Sequence, residues 1–214
     1  DCLGKIDISA KHLLSLVNDV LDMSKLEAGQ MVIEQEPFDI EVLLHDVSSL
    51  VEAQIEKDGL THRRHRENVQ HTALVGSSLK LRQIMVNLFS NAIKYNKPDG
   101  AIFVRLRETE RGRDKVTYEF LIRDTGIGMT QDFIDNRLFE AFVQGENAGR
   151  SRYDGTGLGM SITKSLVDKM DGTITFESKQ GVGTTYTITL PFAIDNTATE
   201  EPERQQTDLT VLQG

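Results

Sequence analysis

The run V-T-Y-E-F-L-I at 116–122 is followed by D-T-G-I-G-M at 124–129. Strict apolar and polar alternation is the period of a half-buried strand, so residues 116–123 are predicted to be one. The strand ends on Asp124, with Gly126 and Gly128 just beyond it. Glycines let a backbone approach a neighbour or a ligand without interference from Cβ. An ionised carboxylate can only accept hydrogen bonds. Asp124 therefore suits a donor such as the exocyclic amine of adenine and opposes the carbonyl that guanine carries there. Alone, D-x-G-x-G describes a β-turn equally well.

Toward the N-terminus, L-R-Q-I-M-V-N-L-F-S-N-A-I-K-Y-N reads as a helix at about 79–95. Asn87, Asn91 and Lys94 recur at i, i+4 and i+7 with Tyr95 beside them, so they share one face. Met85, Val86, Leu88, Phe89 and Ile93 form the apolar face that should pack on the sheet. Amides bordering a core are costly unless hydrogen-bonded, which sets these two apart from ordinary exposed polar residues.

Toward the C-terminus, Y-D-G-T-G-L-G-M-S-I-T-K at 153–164 puts Gly155, Gly157 and Gly159 directly before an amphipathic helix containing Leu158, Ile162, Leu166 and Met170. Free N–H groups at a helix start, with the dipole behind them, favour phosphates. The spacing is neither that of a P-loop nor the G-x-G-x-x-G of a dinucleotide fold. G-V-G-T-T-Y at 181–186 by itself is a hairpin turn.

The remaining chain supplies a frame. Leu3, Ile6, Ala10, Leu13, Val17 and Val20 step by three and four through a helix at 3–28, with Leu14 and Leu21 widening the stripe and Gly29 ending it. An ordinary core helix has this pattern, and so does one half of an intermolecular bundle; the stripe begins at the first residues, which favours the bundle. An extended piece at 31–36 leads to a second helix that Asp39 caps, with Leu43, Val47, Leu50 and Val51 as its buried face and Gly59 as its stop. Strands are expected near 73–75 and at 101–107, 116–123, 173–178 and 184–192, with helices at 131–138 and 158–171. The predicted fold class is α+β: a two-layer sandwich with a mostly antiparallel mixed sheet covered by helices on one face. Residues 193–214 are polar and acidic, a linker.

Composition narrows the function. A net charge of −9 argues against a duplex nucleic-acid binder, which needs basic stripes. The one basic run, T-H-R-R-H-R at 61–66, reads as a solvated loop or strand face. Cys2 is the sole cysteine, so an internal disulfide framework and a Cys-based zinc site are excluded. No apolar run approaches the length of a membrane span. The chain opens on Asp1-Cys2 and reads as a piece of something longer.

The order of the pieces is more specific than any one of them. An Asn-bearing helix, D-x-G-x-G, the Phe-containing L-F-E-A-F-V-Q, then G-x-G-x-G and G-x-G-T follow one another through about 100 residues. This succession resembles the N, G1, F, G2 and G3 boxes of sensor histidine kinases, within the ATPase superfamily that includes Hsp90, gyrase and MutL. The resemblance implies a Bergerat-type ATP-binding fold over residues 30–192, acting with ATP and Mg²⁺. The helix ending L-D-M-S-K-L-E-A-G, residues 1–29, is similar to the second helix of the dimerisation and phosphotransfer hairpin.

By matching position, Asn91 corresponds to the Mg²⁺ ligand and Asn87 to a residue near the transferred phosphate. Lys94 and Tyr95 correspond to phosphate and nucleoside contacts. Asp124 matches the adenine-reading carboxylate, supported through water by Thr184, with Gly126, Ile127 and Gly128 shaping the base pocket. The segment from about 143 to 157 resembles a mobile ATP lid hinged at Gly145, Gly149 and Gly155. Its base is anchored by Phe139 and Phe142, and Gly155, Thr156, Gly157, Leu158 and Gly159 correspond to further ATP-binding residues. Arg150 and Arg152 are its candidate γ-phosphate partners, though solvated lid charges fit them as well. The implied partners are the histidine-bearing dimerisation helix, a second copy of the full-length protein and a response-regulator receiver domain. Such a region is cytoplasmic, whether or not its parent is anchored in a membrane.

Two departures qualify the resemblance. No string of the type H-[DE]-x-R-T-P occurs, and His12 and His45 stand in other contexts, so the phospho-accepting histidine is expected on a helix that precedes this sequence. Asp154 stands where the family commonly has a small residue. Gyrase, Hsp90 and MutL types carry a glutamate one turn before the metal-binding asparagine; Asn87 cannot take a proton at neutral pH. Phosphotransfer therefore fits better than vigorous hydrolysis. A degenerate nucleotide-binding module and a gyrase-like ATPase stand as the alternatives.

Overall fold

A computed structural model describes residues 2–143 and 156–198. Helix α1 (Cys2–Glu27) ends where Gly29 turns at φ +67°. Met23 and Leu26 pack against the core, whereas Leu13, Leu14, Val17, Val20 and Leu21 are between 49% and 66% exposed.

Residues 31–35 join no ladder, and pairing begins with β1 (Glu36–Asp39). In α2 (Ile40–Lys57), the Asp39 carboxylate accepts from the N–H groups of Glu41 (2.7 Å) and Val42 (3.0 Å), satisfying two donors that no helix turn can reach. Ile40, Leu43, Val47, Ser48, Val51 and Ile55 are buried, but Leu50 is 63% exposed. At 100° per residue Leu50 falls just beyond the rim of that arc, which instead takes in Ser48.

The basic run becomes β2 (Thr61–Glu67), an edge strand parallel to β4 (Ala101–Arg111). Its exposed charges oppose further strand addition. Its alternation also sends His62 inward, edge-on to Phe89 at 5.8 Å. Among the described residues His62 Nε2 is buried without a hydrogen-bond partner. Burial, then the Arg64 charge, lower the His62 pKa from the ordinary 6.5, against a smaller opposing pull from Glu52. The folded chain thus binds this proton less readily than the unfolded one, so the stability present above the ordinary pKa is lost as pH falls toward the folded value. A His62→Leu variant is expected to lose less stability than the parent between pH 7.5 and 5, by at most about 1.4 kcal/mol per pH unit. Parallel denaturation midpoints across that range would refute the assignment.

The rest of the sheet comprises β3 (Ala73–Gly76), β5 (Lys115–Asp124), β6 (Thr173–Lys179) and β7 (Gly183–Ile194). The order is β1-β3-β7-β5-β4-β2, with β6 also paired to β7. Every pair except β2–β4 is antiparallel. One face carries Val116, Tyr118, Phe120 and Ile122 from β5 and Tyr186, Ile188, Leu190 and Phe192 from β7, all buried. Above it lie α3 (Ser78–Lys94), through Leu81, Ile84, Met85, Leu88 and Phe89, and α5 (Gly159–Lys169), through Ile162, Leu166 and Val167. The short α4 (Gln131–Asn136) follows β5. Strand alternation continues the buried face to Asp124 and Thr184, 4% and 5% exposed, so the strand ends put polar groups at the margin of the core.

Candidate functional site

Two buried carboxylates on this sheet have opposite character. The Glu108 side chain is fully buried at the far end. Burial would raise its pKa, but the N–H groups of Gln70 and His71, the His71 ring and Arg111 outweigh that and hold it below the ordinary range. Its partners, the Tyr118 hydroxyl among them, lie within 2.6–3.3 Å, and it pins the loop before β3. Asp124 has fewer supports. The N–H groups of Gly126 (2.8 Å) and Thr184 (3.1 Å) both donate to Oδ1. Burial prevails over these bonds and the Lys97 charge, and its pKa is pushed up to about 6. A carboxylate so placed, with Oδ2 taking no donor among the described residues, is poised for an external one. Thr184 supports Asp124 directly through its backbone, while its hydroxyl lies 2.9 Å from Ser178 Oγ.

The loop after Asp124 is stitched to α3 and to the last hairpin. Ile127 N–H donates to the Tyr95 carbonyl (2.9 Å), and Gly181 N–H donates to the Ile127 carbonyl (2.7 Å). A Cβ at Gly126 would lie 2.2 Å from the Tyr95 carbonyl oxygen, so only glycine permits this approach. Gly128 takes φ +63° against the Lys179 backbone. Met129 N–H donates to Ser178 Oγ (2.9 Å).

From Tyr95 the site continues along α3. Lys94 Nζ stands 4.9 Å over the Tyr95 ring. One turn back is Asn91, half-buried, whose side-chain amide has no hydrogen-bond partner among the described residues. A further turn back, Asn87 donates through Nδ2 to Thr163 Oγ1 (2.8 Å) on α5. A Cβ at Gly159 would lie 2.2 Å from Asn87 Oδ1, so the absent side chain lets α3 meet the start of α5. Leu158, the cap residue of α5, is fully buried and makes no side-chain cap bond. Its N–H donates to Thr156 Oγ1 (3.0 Å). Gly157 at φ +71° accepts, through its carbonyl, from Phe142 N–H (3.1 Å). This bond ties the two ends of the segment between 143 and 156. Phe139 stacks edge-on with Phe176 at 5.4 Å, and Phe142 is 70% exposed. Arg150, Arg152 and Gly155, like Gly145, Gly149 and Asp154, lie outside the described residues.

A connected line therefore runs from Asp124 through the glycine loop and Tyr95 along the polar face of α3 to the N-terminus of α5. Asn96, Lys97, Thr125 and Ser178 belong to it and stand out by no sequence pattern. Thr125 Oγ1 accepts from Ala101 N–H (2.8 Å) and donates to Asn96 Oδ1 (3.2 Å), while Lys97 Nζ donates to the Gly181 carbonyl (2.5 Å). Adjacency to Tyr95, Asp124 and the last hairpin was their only signal. No group of three or more His, Cys, Asp or Glu side chains able to hold a metal occurs among the described residues. No helix there is long and apolar enough to cross a membrane.

Known proteins resemble this chain in sequence and fold. The sensor histidine kinase GacS of Pseudomonas protegens is 38% identical over 195 residues, 89% of this chain and 20% of its own. The signal transduction histidine-protein kinase BarA of Escherichia coli is 39% identical over 186 residues, 87% of this chain and 20% of its own. The chain thus spans about a fifth of these relatives. The crystal structure of full-length ShkA in complex with AMPPNP superposes with a TM-score of 0.70 at 33% identity, covering 87% of this chain and 37% of that one. The profile described as "Histidine kinase-, DNA gyrase B-, and HSP90-like ATPase" matches residues 76–194, more than half of the chain, and the chain belongs to that family.

Proposed function

We propose that the chain is the ATP-binding and catalytic region of a two-component sensor histidine kinase. It binds Mg-ATP and transfers the γ-phosphate to a histidine on a dimerisation helix outside this sequence. The observation that carries the reading is Asp124, a buried carboxylate with both protein donors on one oxygen, beside a loop that only glycine can form. Its other oxygen accepts the adenine amine, and Gly126, Ile127 and Gly128 line the base. Tyr95 and Lys94 hold the nucleoside and phosphates, and Gly157, Leu158 and Gly159 present the start of α5 to them. Phe139 and Phe142 carry the base of the lid; its candidate γ-phosphate partners Arg150 and Arg152 and its hinge Gly155 lie outside the described residues.

Mg²⁺ fits the donors of α3. Asn91 offers one half-buried amide with no hydrogen-bond partner among the described residues, and a hard cation with a single protein oxygen draws the rest of its shell from phosphate and water. Bound there, the ion would neutralise charge on the phosphates. Asn87 and Lys94 orient the γ-phosphate for in-line attack by the histidine nitrogen, so positioning and charge stabilisation supply most of the rate. Asn87 donates to Thr163 and has no basic function, which disfavours the hydrolytic alternative.

Residues 1–29 then form the second helix of the dimerisation hairpin, with the exposed Leu13, Leu14, Val17, Val20 and Leu21 as the face that meets a second copy. The catalytic domain begins at residue 30 and runs to Ile194, two residues past the expected end at 192 because Ala193 and Ile194 pair with β3, and the residues beyond it link it to a phospho-accepting receiver domain. The whole region works in the cytoplasm. Calorimetric titration tests the core of this: Mg-ATP is expected to bind and Mg-GTP to bind at least about tenfold more weakly, since guanine turns a carbonyl toward Asp124. Equal affinities would remove Asp124 from base recognition.

A further inference from the structure

Helix α1 reaches the glycine loop through one specific bond. Asp19 Oδ2 accepts from the hydroxyl of Thr156 (3.1 Å). That hydroxyl also receives the N–H of Leu158, the cap residue of α5, so it sits at the threshold of the helix N-terminus. One turn further along α1, Asp22 accepts from Gln83 Nε2 on α3 (2.7 Å). Met23 and Leu26 pack beside them against the core. The Asp19 carboxylate is thereby held beside the start of α5, where the helix dipole favours an anion from elsewhere. Asp19 is partly buried there, and its hydrogen bond to Thr156 spans 137 positions of sequence.

We propose that Asp19 is a positioning residue that competes with the nucleotide: its carboxylate occupies the Thr156 hydroxyl that a phosphate oxygen would otherwise engage, so docking of α1 and binding of the triphosphate oppose each other. The inference rests on the nucleotide reading above and adds a coupling between two parts of the chain. Such coupling is reciprocal: whatever α1 docking takes from ATP affinity, bound ATP takes from α1 docking. A signal that pulls α1 off the loop then raises nucleotide affinity without touching the pocket.

The test is titration of Mg-ATP into the whole chain and its variants. Asp19→Ala, a substitution helices accept readily, is expected to tighten binding about three- to tenfold. Asp22→Asn removes a charge of the same sign one turn away without touching Thr156, and is expected to change affinity less than about twofold. In a Thr156→Val background, Asp19→Ala should have no further effect, since the bond is already gone. Unchanged or weaker binding by Asp19→Ala would overturn the inference. So would tightening by Asp22→Asn as large as that by Asp19→Ala, which would make the effect one of general charge. An additive double variant would overturn it too. Absence of binding in every variant would instead overturn the nucleotide reading, and this inference with it.

Discussion

Replacing Asp124 by Asn is expected to weaken Mg-ATP binding about ten- to a hundredfold while making the ligand-free protein more stable. The substitution keeps one oxygen for the Gly126 and Thr184 N–H groups. It turns the second position into an NH₂ group, a donor facing the donor of adenine. The stability effect has the opposite sign. Burial raises the Asp124 pKa to about 6 in the folded chain from an ordinary 3.8. A raised carboxylate pKa means the folded state holds its proton more tightly, so stability at this residue is greatest below pH 3.8 and declines as pH rises through 6. Above that window the charged form costs up to about 3 kcal/mol, which a neutral amide avoids. Denaturation of the ligand-free pair at pH 5 and 7.5 should show the variant's advantage growing with pH. Lower stability of the variant at both pH values would mean that the carboxylate is a structural fixture like Glu108. A gain in stability joined to a loss of binding is the signature of a group kept for its ligand.

Gly128→Ala is expected to destabilise the protein by about 2–5 kcal/mol and to abolish nucleotide binding with it. Two penalties coincide at this position. The residue sits at φ +63°, where an L side chain loses about 1–2 kcal/mol. A Cβ would also lie 2.1 Å from the Lys179 carbonyl oxygen, a backbone atom that moves only if the hairpin moves; such overpacking adds about 1–3 kcal/mol. Gly181→Ala supplies the comparison, because its φ is +80° but a Cβ there meets nothing within 4 Å. Denaturant midpoints of the two variants separate strain from collision. Equal losses would show that the Lys179 contact relaxes freely.

Much of this was legible because local pattern and tertiary role coincide. Alternation at 116–122 gives β5, and the spacing of Asn87, Asn91 and Lys94 gives the face of α3 that lines the site. Gly126, Gly157 and Gly159 each meet another segment so closely that a Cβ would collide, the reason their motifs are glycine-rich. Legibility failed where the deciding neighbour is distant in sequence. Nothing near Leu50 says that Ser48 takes its place in the buried arc. The basic stretch at 61–66 forms a strand because β4 pairs with it, against its own weak signal. Thr184 reaches Asp124 through its backbone, which no side-chain motif encodes. Asp19 looks like any exposed helix residue until Thr156, far along the chain, is set against it.

The sheet order bears on how such a molecule comes into being. β7, the last strand among the described residues, lies between β3 and β5 and not at an edge. It closes the core and delivers the Thr184 N–H to Asp124. A chain emerging from the ribosome therefore carries nearly every other element of the pocket while its middle is still missing. Until residues 183–194 are made, the edges of β3 and β5 that pair with β7 have no partner, and Asp124 lacks one of its two protein donors. The carboxylate proposed to read adenine thus receives its second protein donor only when β7 has been made.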